Sequence, residues 1–208
     1  LRILRTKLQF LNPDTPLKTM LVTSSIPGEG KSTIASNLAV TLAQMNKKVL
    51  LVDADMRRPI QHKTFTSAQL VHAPQSLPSE TDTSNPRLFA SVGALEPVGG
   101  TSTDLRKPGL SELLIRMNEG DALEALNTVV KQTEVENLYL ITSGTIPPNP
   151  AELVNSDMMH KLIKLLKQEY DYVVFDSPPV RAVADPIILS TQVDAVIFVF
   201  DIAKTRKF

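Results

Sequence analysis

Val22-Thr23-Ser24-Ser25-Ile26-Pro27-Gly28-Glu29-Gly30-Lys31-Ser32-Thr33 is the stretch that decides the fold. An apolar run, Thr19-Met20-Leu21-Val22, leads into it, and Ile34, Leu38, Leu42 and Met45 recur behind it at helical spacing. Strand, glycine loop, Gly-Lys-Ser and helix in that order predict a P-loop. Backbone N–H groups of such a loop and its helix N-terminus cradle phosphate oxygens. The lysine reaches the outer phosphates, and the hydroxyl after it ligates magnesium. Ser25 stands where the G-x-x-x-x-G-K-[ST] pattern has its first glycine. Because Lys31 and Ser32 are both in register, an ordinary turn before a helix is the weaker reading. The expected ligand is ATP or GTP with Mg2+, held by Pro27, Gly28, Glu29, Gly30, Lys31, Ser32 and Thr33. A dinucleotide-binding turn does not fit, since Gly28-Glu29-Gly30 is followed by no third glycine at the required spacing.

Outward from the loop, Val49-Leu50-Leu51-Val52 is a second continuous apolar run and ends in Asp53-Ala54-Asp55. Leu138–Ile141, Tyr172–Asp176 and Ala195–Phe200 read as three further strands. Helices are expected to about Asn46, over Gly109 to about Asn118, from Pro150 to about Glu169 with a break near Ser156, and over about Asp185–Thr191. Asn149-Pro150-Ala151-Glu152 opens one of them with an N-cap residue, a first-turn proline and a glutamate able to reach back. Strands buried on both faces and alternating with helices mean a mostly parallel α/β sheet, a P-loop NTPase-like three-layer sandwich. Ligands of such sheets sit beyond the carboxyl ends of the strands, where Asp53 and Asp176 stand. Asp176 is placed to hold Mg2+ or its water, while Asp53 and Asp55 add an acidic pair beyond what a minimal ATPase needs. One of that pair can ligate metal while the other takes a proton from an attacking hydroxyl. Capping of the next turn is the bland reading for any one of these aspartates. Arg57 and Arg58 are equally well read as phosphoryl-charge stabilisers or as salt-bridge arginines.

The chain reads as one domain over residues 1–208, with 42% hydrophobic residues, enough for a sizeable core. Zero formal net charge gives no reason to expect nucleic acid as a partner. With no cysteine, disulfides, thiolate metal sites and thiol nucleophiles are all excluded. His62, His72 and His160 lack metal-ligand spacing and are read structurally. No apolar run approaches the ~18 residues of a membrane span. The opening leucine and the ending just beyond a strand suggest a fragment truncated at both ends. Leu1, Leu4, Leu8 and Leu11 share one helical face, read first as a docking helix and second as an assembly surface. Residues 66–107 carry four prolines and little periodicity, and are expected to be a flexible insertion without secondary structure.

These motifs together resemble the bacterial tyrosine kinases (BY-kinases) of capsule and exopolysaccharide biosynthesis. Ser24–Thr33 is similar to the family's Walker A motif, and Leu50–Pro59 to its second acidic motif. His62 and Phe65 fit an H-x-x-F continuation. Gly109–Leu114, Gly144–Leu153 and Phe175-Asp176-Ser177-Pro178-Pro179 continue the match in order, and Arg2-x-x-Arg5-Thr6 resembles the end of an oligomerisation helix. The resemblance implies ATP and Mg2+ as cofactors and a ring-like homo-oligomer that phosphorylates tyrosines of a neighbouring subunit. It also implies a transmembrane chain-length determinant or activator as partner, and a cytoplasmic location at the inner face of the membrane. It assigns phosphate binding to Lys31, metal to Ser32, Asp55 and Asp176, and catalysis to Lys31, Asp53 and Asp55. The family's tyrosine-rich tail is absent, since only Tyr139, Tyr170 and Tyr172 occur and none is terminal. Two other readings compete. One is a non-kinase P-loop switch like the septum-positioning and plasmid-partition ATPases, although Ile26 stands where those carry a lysine. The other is a nucleotide-binding scaffold that transfers no phosphate.

Overall fold

The computed structural model describes residues 17–65, 70–72, 104–118 and 120–202. The expected helix over residues 1–11, including Arg2 and Arg5, lies outside them, as does most of the segment 66–107.

Among the described residues seven strands form one sheet: β1 (Thr19–Ser24), β2 (Val49–Asp53), β3 (Leu70–His72), β4 (Lys131–Thr133), β5 (Leu138–Ile141), β6 (Tyr172–Asp176) and β7 (Ala195–Val199). Their order across the sheet is β3-β4-β5-β2-β6-β1-β7. From β5 to β7 all pairings are parallel. At the other edge β4 runs antiparallel to both β5 and β3. The helices are α1 (Lys31–Ala43), α2 (Gln61–Thr64), α3 (Leu110–Arg116), α4 (Ala122–Val129), α5 (Pro150–Val154), α6 (Asp157–Glu169) and α7 (Asp185–Ser190).

The continuous apolar runs become the central strands because side chains alternate across a sheet covered on both faces. Met20, Val22, Val49, Leu51 and Val174 face one layer, where Ala35, Leu38, Ala39 and Leu42 of α1 complete a core. Leu21, Leu50, Val52, Val173 and Phe175 face the other layer, against Leu113, Leu126, Leu162 and Leu166 of α3, α4 and α6. The three-layer arrangement is therefore the expected one. Along α1 the stripe is Ala35, Leu38, Ala39, Leu42 and Ala43; Ile34 and Met45 pack only partly against it. Alanines bring this helix close over the sheet, which places the loop before it near the strand ends.

The break near Ser156 is real. Ser156 ends the turn after α5 and caps α6 by accepting a hydrogen bond from Met159 N at 3.2 Å. Asn149 precedes α5 without capping the backbone; its side-chain amide donates to Glu152 Oε2 at 3.2 Å.

Two expectations need correction. Residues 66–107 are not free of secondary structure, because Leu70–His72 form β3 and pair with β4. The end of the segment is tied down too: Lys131 Nζ donates to Leu105 O at 2.9 Å, and Thr142 Oγ1 donates to Arg106 O at 2.7 Å. The stretch between α3 and β5 also carries α4 and β4, which the sequence reading left unassigned. Asp121 caps α4, accepting from Leu123 N at 2.7 Å and Glu124 N at 3.2 Å.

Candidate nucleotide and metal site

In the parallel register Asp53 lies opposite Asp176, and β1 lies on the far side of β6. The carboxyl ends of β1, β2 and β6 therefore emerge side by side, and the three acidic or phosphate-binding segments converge at one sheet edge. The loop Ser25–Gly30 leaves β1 there. Gly28 and Gly30 adopt φ of 83° and 87°, a left-handed backbone that a side chain at either position would strain. Glu29 closes the loop on itself by accepting from Ile26 N at 2.9 Å. The segment after β6 stitches the loop in place. Val180 N donates to Ser24 O at 2.9 Å, and Thr23 Oγ1 donates to Pro178 O at 2.8 Å.

Above these strand ends lies a cavity of about 530 Å3. Pro27, Gly28, Lys31, Ser32, Asp55 and Arg58 are among its walls, with Pro178, Pro179, Ala182 and Val183 on an apolar side. Gly30 and Thr33 also border it, while Glu29 is almost fully buried beneath the loop. The Lys31 ammonium sits among three oxygens. It donates to Ser32 Oγ at 3.1 Å and to Asp55 Oδ2 at 3.2 Å, and lies 3.9 Å from Asp176 Oδ1. Three hard oxygens from three sequence segments thus surround one positive charge.

Those oxygens suit magnesium. Mg2+ is bound through one or two carboxylates together with water and substrate phosphates rather than by an all-protein cage. Among the described residues no cluster of three or more His, Asp or Glu side chains is arranged to hold a metal unaided. Asp176 Oδ1 is buried and accepts no hydrogen bond, so a ligand position is available on it. Ser32, Asp55 and Asp176 would hold the ion, which would draw together phosphate charge at the mouth of the loop. Burial raises Asp176 above the usual carboxylate range, with Lys31 pulling it back. A divalent cation acts in the same direction as Lys31.

Asp53 is placed differently. It is fully buried and does not border the cavity. Its Oδ2 accepts from Ile60 N at 3.1 Å and Gln61 N at 3.0 Å, and its Oδ1 accepts from Asp55 N at 3.3 Å. Burial, and then the neighbouring Asp176 carboxylate, push it up to about 8. Asp53 therefore shapes the turn that presents Asp55, and Asp55 is the member of the pair facing the cavity. Asp55 in turn accepts from Arg58 N at 2.9 Å.

Of the two arginines, Arg57 has a partner. It grips Asp185 at the start of α7 in a forked pair, Nε to Oδ2 at 2.9 Å and Nη2 to Oδ1 at 3.1 Å. Arg57 is therefore a salt-bridge arginine, although it borders the cavity as Arg58 does. Tyr170 is buried beside Tyr139, with ring centroids 5.8 Å apart and the Lys48 ammonium 4.8 Å from its ring. It belongs to the core. Sequence reasoning passed over Gln61, which is fully buried and donates from Nε2 to both Asp176 Oδ2 and the Ser32 carbonyl.

The fold has known counterparts. A family model described as an AAA domain matches residues 18–205. The tyrosine-protein kinase YwqD of Bacillus subtilis is 36% identical over 206 residues, 99% of this chain and 69% of its own length. The kinase domain of the Escherichia coli tyrosine kinase ETK superposes with a TM-score of 0.71 at 29% identity, covering 99% of this chain and 64% of that one. The septum site-determining protein MinD of Pyrococcus horikoshii, solved with Mg-ADP, shares the fold alone: TM-score 0.51 and 21% identity over 88% of this chain and 57% of that one. A match across nearly the whole chain, continuous with a kinase of which it spans over two thirds, makes this chain a member of the AAA-domain P-loop proteins and, within them, of the bacterial tyrosine-kinase (BY-kinase) family.

Proposed function

We propose that this chain is the catalytic P-loop domain of an ATP-dependent protein-tyrosine autokinase that regulates capsule or exopolysaccharide synthesis and export. The observation that carries the reading is the meeting of Lys31, Ser32, Asp55 and Asp176 at one strand edge, with Asp55 on the cavity wall. A hydrolytic ATPase needs the P-loop and one strand-end aspartate. The second acidic turn, Asp53-Ala54-Asp55, supplies a carboxylate beside the phosphate site where an attacking hydroxyl would arrive.

In this reading Lys31 would serve the ATP phosphates, and Ser32, Asp55 and Asp176 would hold Mg2+, whose charge would offset that of the phosphates. The glycine loop and the first turn of α1 hold the phosphates by backbone N–H groups. Asp55 orients the acceptor hydroxyl and Asp53 fixes the turn behind it, contributing to hydroxyl activation through that pair. The apolar wall of Pro178, Pro179, Ala182 and Val183 offers a surface for an aromatic ring. A homo-oligomer that brings a neighbour's tyrosine to this wall, and a transmembrane activator that sets the assembly at the inner membrane face, follow from the family. Among the described residues no helix is long and apolar enough to cross a membrane. The switch reading is weaker because Ile26 occupies the place where partition-type ATPases carry a lysine.

The deciding experiment incubates the full-length protein with Mg2+ and γ-labelled ATP and identifies the phosphorylated amino acid. Phosphotyrosine that disappears in Lys31→Met is the expected result. Phosphate release without phosphotyrosine would replace the kinase by an ATPase switch or scaffold.

A further inference from the structure

Gln61 sits between the three chemical segments of the site without bordering the cavity itself. It is fully buried at the start of α2. Its backbone N–H is held by Asp53 Oδ2 at 3.0 Å. Its Nε2 donates at 2.8 Å to Asp176 Oδ2 and at 3.1 Å to the carbonyl of Ser32. Both partners are acceptors only, so the amide can point just one way. Its Oε1 is left buried without a partner.

That orphaned oxygen is informative. A leucine or methionine would fill much of the same volume without the penalty of burying an unsatisfied carbonyl. The amide is therefore kept for what its donor side does. That side occupies one oxygen of Asp176 and leaves the other, Oδ1, without a hydrogen-bond partner on the side nearest Lys31. The same NH2 ties down the carbonyl of Ser32, whose hydroxyl is another of the metal-holding groups. A carboxylate free to rotate would present either oxygen, or both, to the ion. With Oδ2 engaged, a single oxygen is presented in a fixed direction.

We infer that Gln61 is a positioning residue for the divalent cation: its carboxamide clamps Asp176 and Ser32 in the geometry that receives Mg2+ beside the nucleotide. The inference rests on the nucleotide–metal reading of the site and adds to it a residue that touches neither ligand. Groups that orient metal ligands commonly govern affinity by 10–100-fold.

The test measures metal binding separately from nucleotide binding and from activity. Mn2+ serves as the paramagnetic probe, titrated by electron paramagnetic resonance into the full-length protein with saturating ADP. ADP affinity is measured separately in EDTA, and folding by urea denaturation. Gln61→Leu removes both donors at similar volume, and Gln61→Glu places an acceptor against Asp176. Expected is a Mn2+ affinity about 10–100-fold weaker in both variants, with metal-free ADP affinity unchanged within about twofold. Should Gln61→Leu fail to fold, Gln61→Glu carries the test, with Gln61→Met as a further neutral variant. A folded variant that binds Mn2+ as tightly as wild type overturns the inference. Equal losses of Mn2+ and of metal-free ADP overturn it too, since they make Gln61 a general support of the loop. A wild-type protein that takes up no Mn2+ with ADP overturns the reading of the site itself, and the inference with it.

Discussion

Removing the Arg57 guanidinium should unfold this protein at lower urea and leave nucleotide affinity almost untouched. Arg57 follows the acidic turn immediately, a place from which it can be imagined reaching a phosphate. In the structure both of its forked donors are spent on Asp185, at 2.9 and 3.1 Å. Asp185 is fully buried, whereas the Arg57 side chain keeps 39% of its surface in water. Deleting one member of a fully buried pair costs about 3–5 kcal/mol, because the other charge is stranded. The exposure of Arg57 lowers this, since water can reach the vacated space, to about 2–3 kcal/mol for Arg57→Met. In a chain of this size that is a fall in Tm of about 5–10 °C. Asp185→Asn and the double variant complete a thermodynamic cycle, in which urea titrations should return a coupling of about 1–2 kcal/mol. A coupling within about 0.3 kcal/mol of zero would show the pair to be ornamental. Unchanged stability with a large loss of ATP affinity in Arg57→Met would instead restore the phosphate reading.

Asp53→Asn should reduce phosphoryl transfer by about 100-fold or more while ATP affinity changes by less than about threefold. Asparagine keeps one acceptor for the backbone N–H groups of the turn but puts an NH2 where the second oxygen accepted, disturbing the turn that presents Asp55, and equal losses of binding and transfer would make Asp53 a binding residue. Lys131 predicts a pH signature far from the site. It is buried, and desolvation lowers it from 10.5 to about 8 while its ammonium donates to Leu105 O and to Thr142 Oγ1 at 2.7 Å. Between about pH 8 and 10.5 the unfolded chain keeps a proton that the folded chain has released. Stability therefore rises with pH across that window, by at most about 3 kcal/mol. Wild type should gain on Lys131→Met as pH climbs from 7 to 10 in parallel denaturation curves; a constant difference between the two would contradict the placement of that ammonium.

What could be read from the sequence divides along the range of the interactions. β1, β2 and β6 were legible because strands covered on both faces need uninterrupted apolar residues, and Val49-Leu50-Leu51-Val52 has no other comfortable fate. α6 was legible because Met159, Leu162, Ile163 and Leu166 recur at helical spacing behind a serine cap. The antiparallel edge was not. β4 is Lys131-Gln132-Thr133, too short and too polar for a periodicity to show. Its lysine is buried because Thr142 and Leu105 reach it from elsewhere in the chain. β3 forms only by pairing with β4 across some sixty residues, so nothing local in Leu70–His72 announces a strand. The cap of α4 did leave a signal, Asp121 followed three residues later by Glu124, but no long apolar stripe reinforced it.

At the site the same division has a chemical consequence. Lys31, Ser32 and the strand-end aspartates were visible because each obeys a local rule of spacing. Their cost was invisible, because it arises only when the sheet sets Asp53 opposite Asp176 on adjacent strands. Burial strips both carboxylates of hydration, Asp53 is further raised by the charge of Asp176, and both are pushed above the ordinary carboxylate range. The chain answers with local and distant groups: backbone N–H donors of residues 55, 60 and 61 on Asp53 and, from far away in sequence, the Gln61 amide on Asp176 and the Lys31 ammonium between Asp176 and Asp55. Only the last of these is a full positive charge, and it is the group that nucleotide phosphates would draw away. Once it leaves, Asp55 and Asp176 lose the cation that offsets their repulsion, and a divalent ion becomes more favourable at the same oxygens. Binding of phosphate and binding of metal are thereby coupled through one lysine. ADP should accordingly tighten Mn2+ binding in wild type, and Lys31→Met, which has no ammonium to displace, should bind Mn2+ without nucleotide more tightly than wild type does.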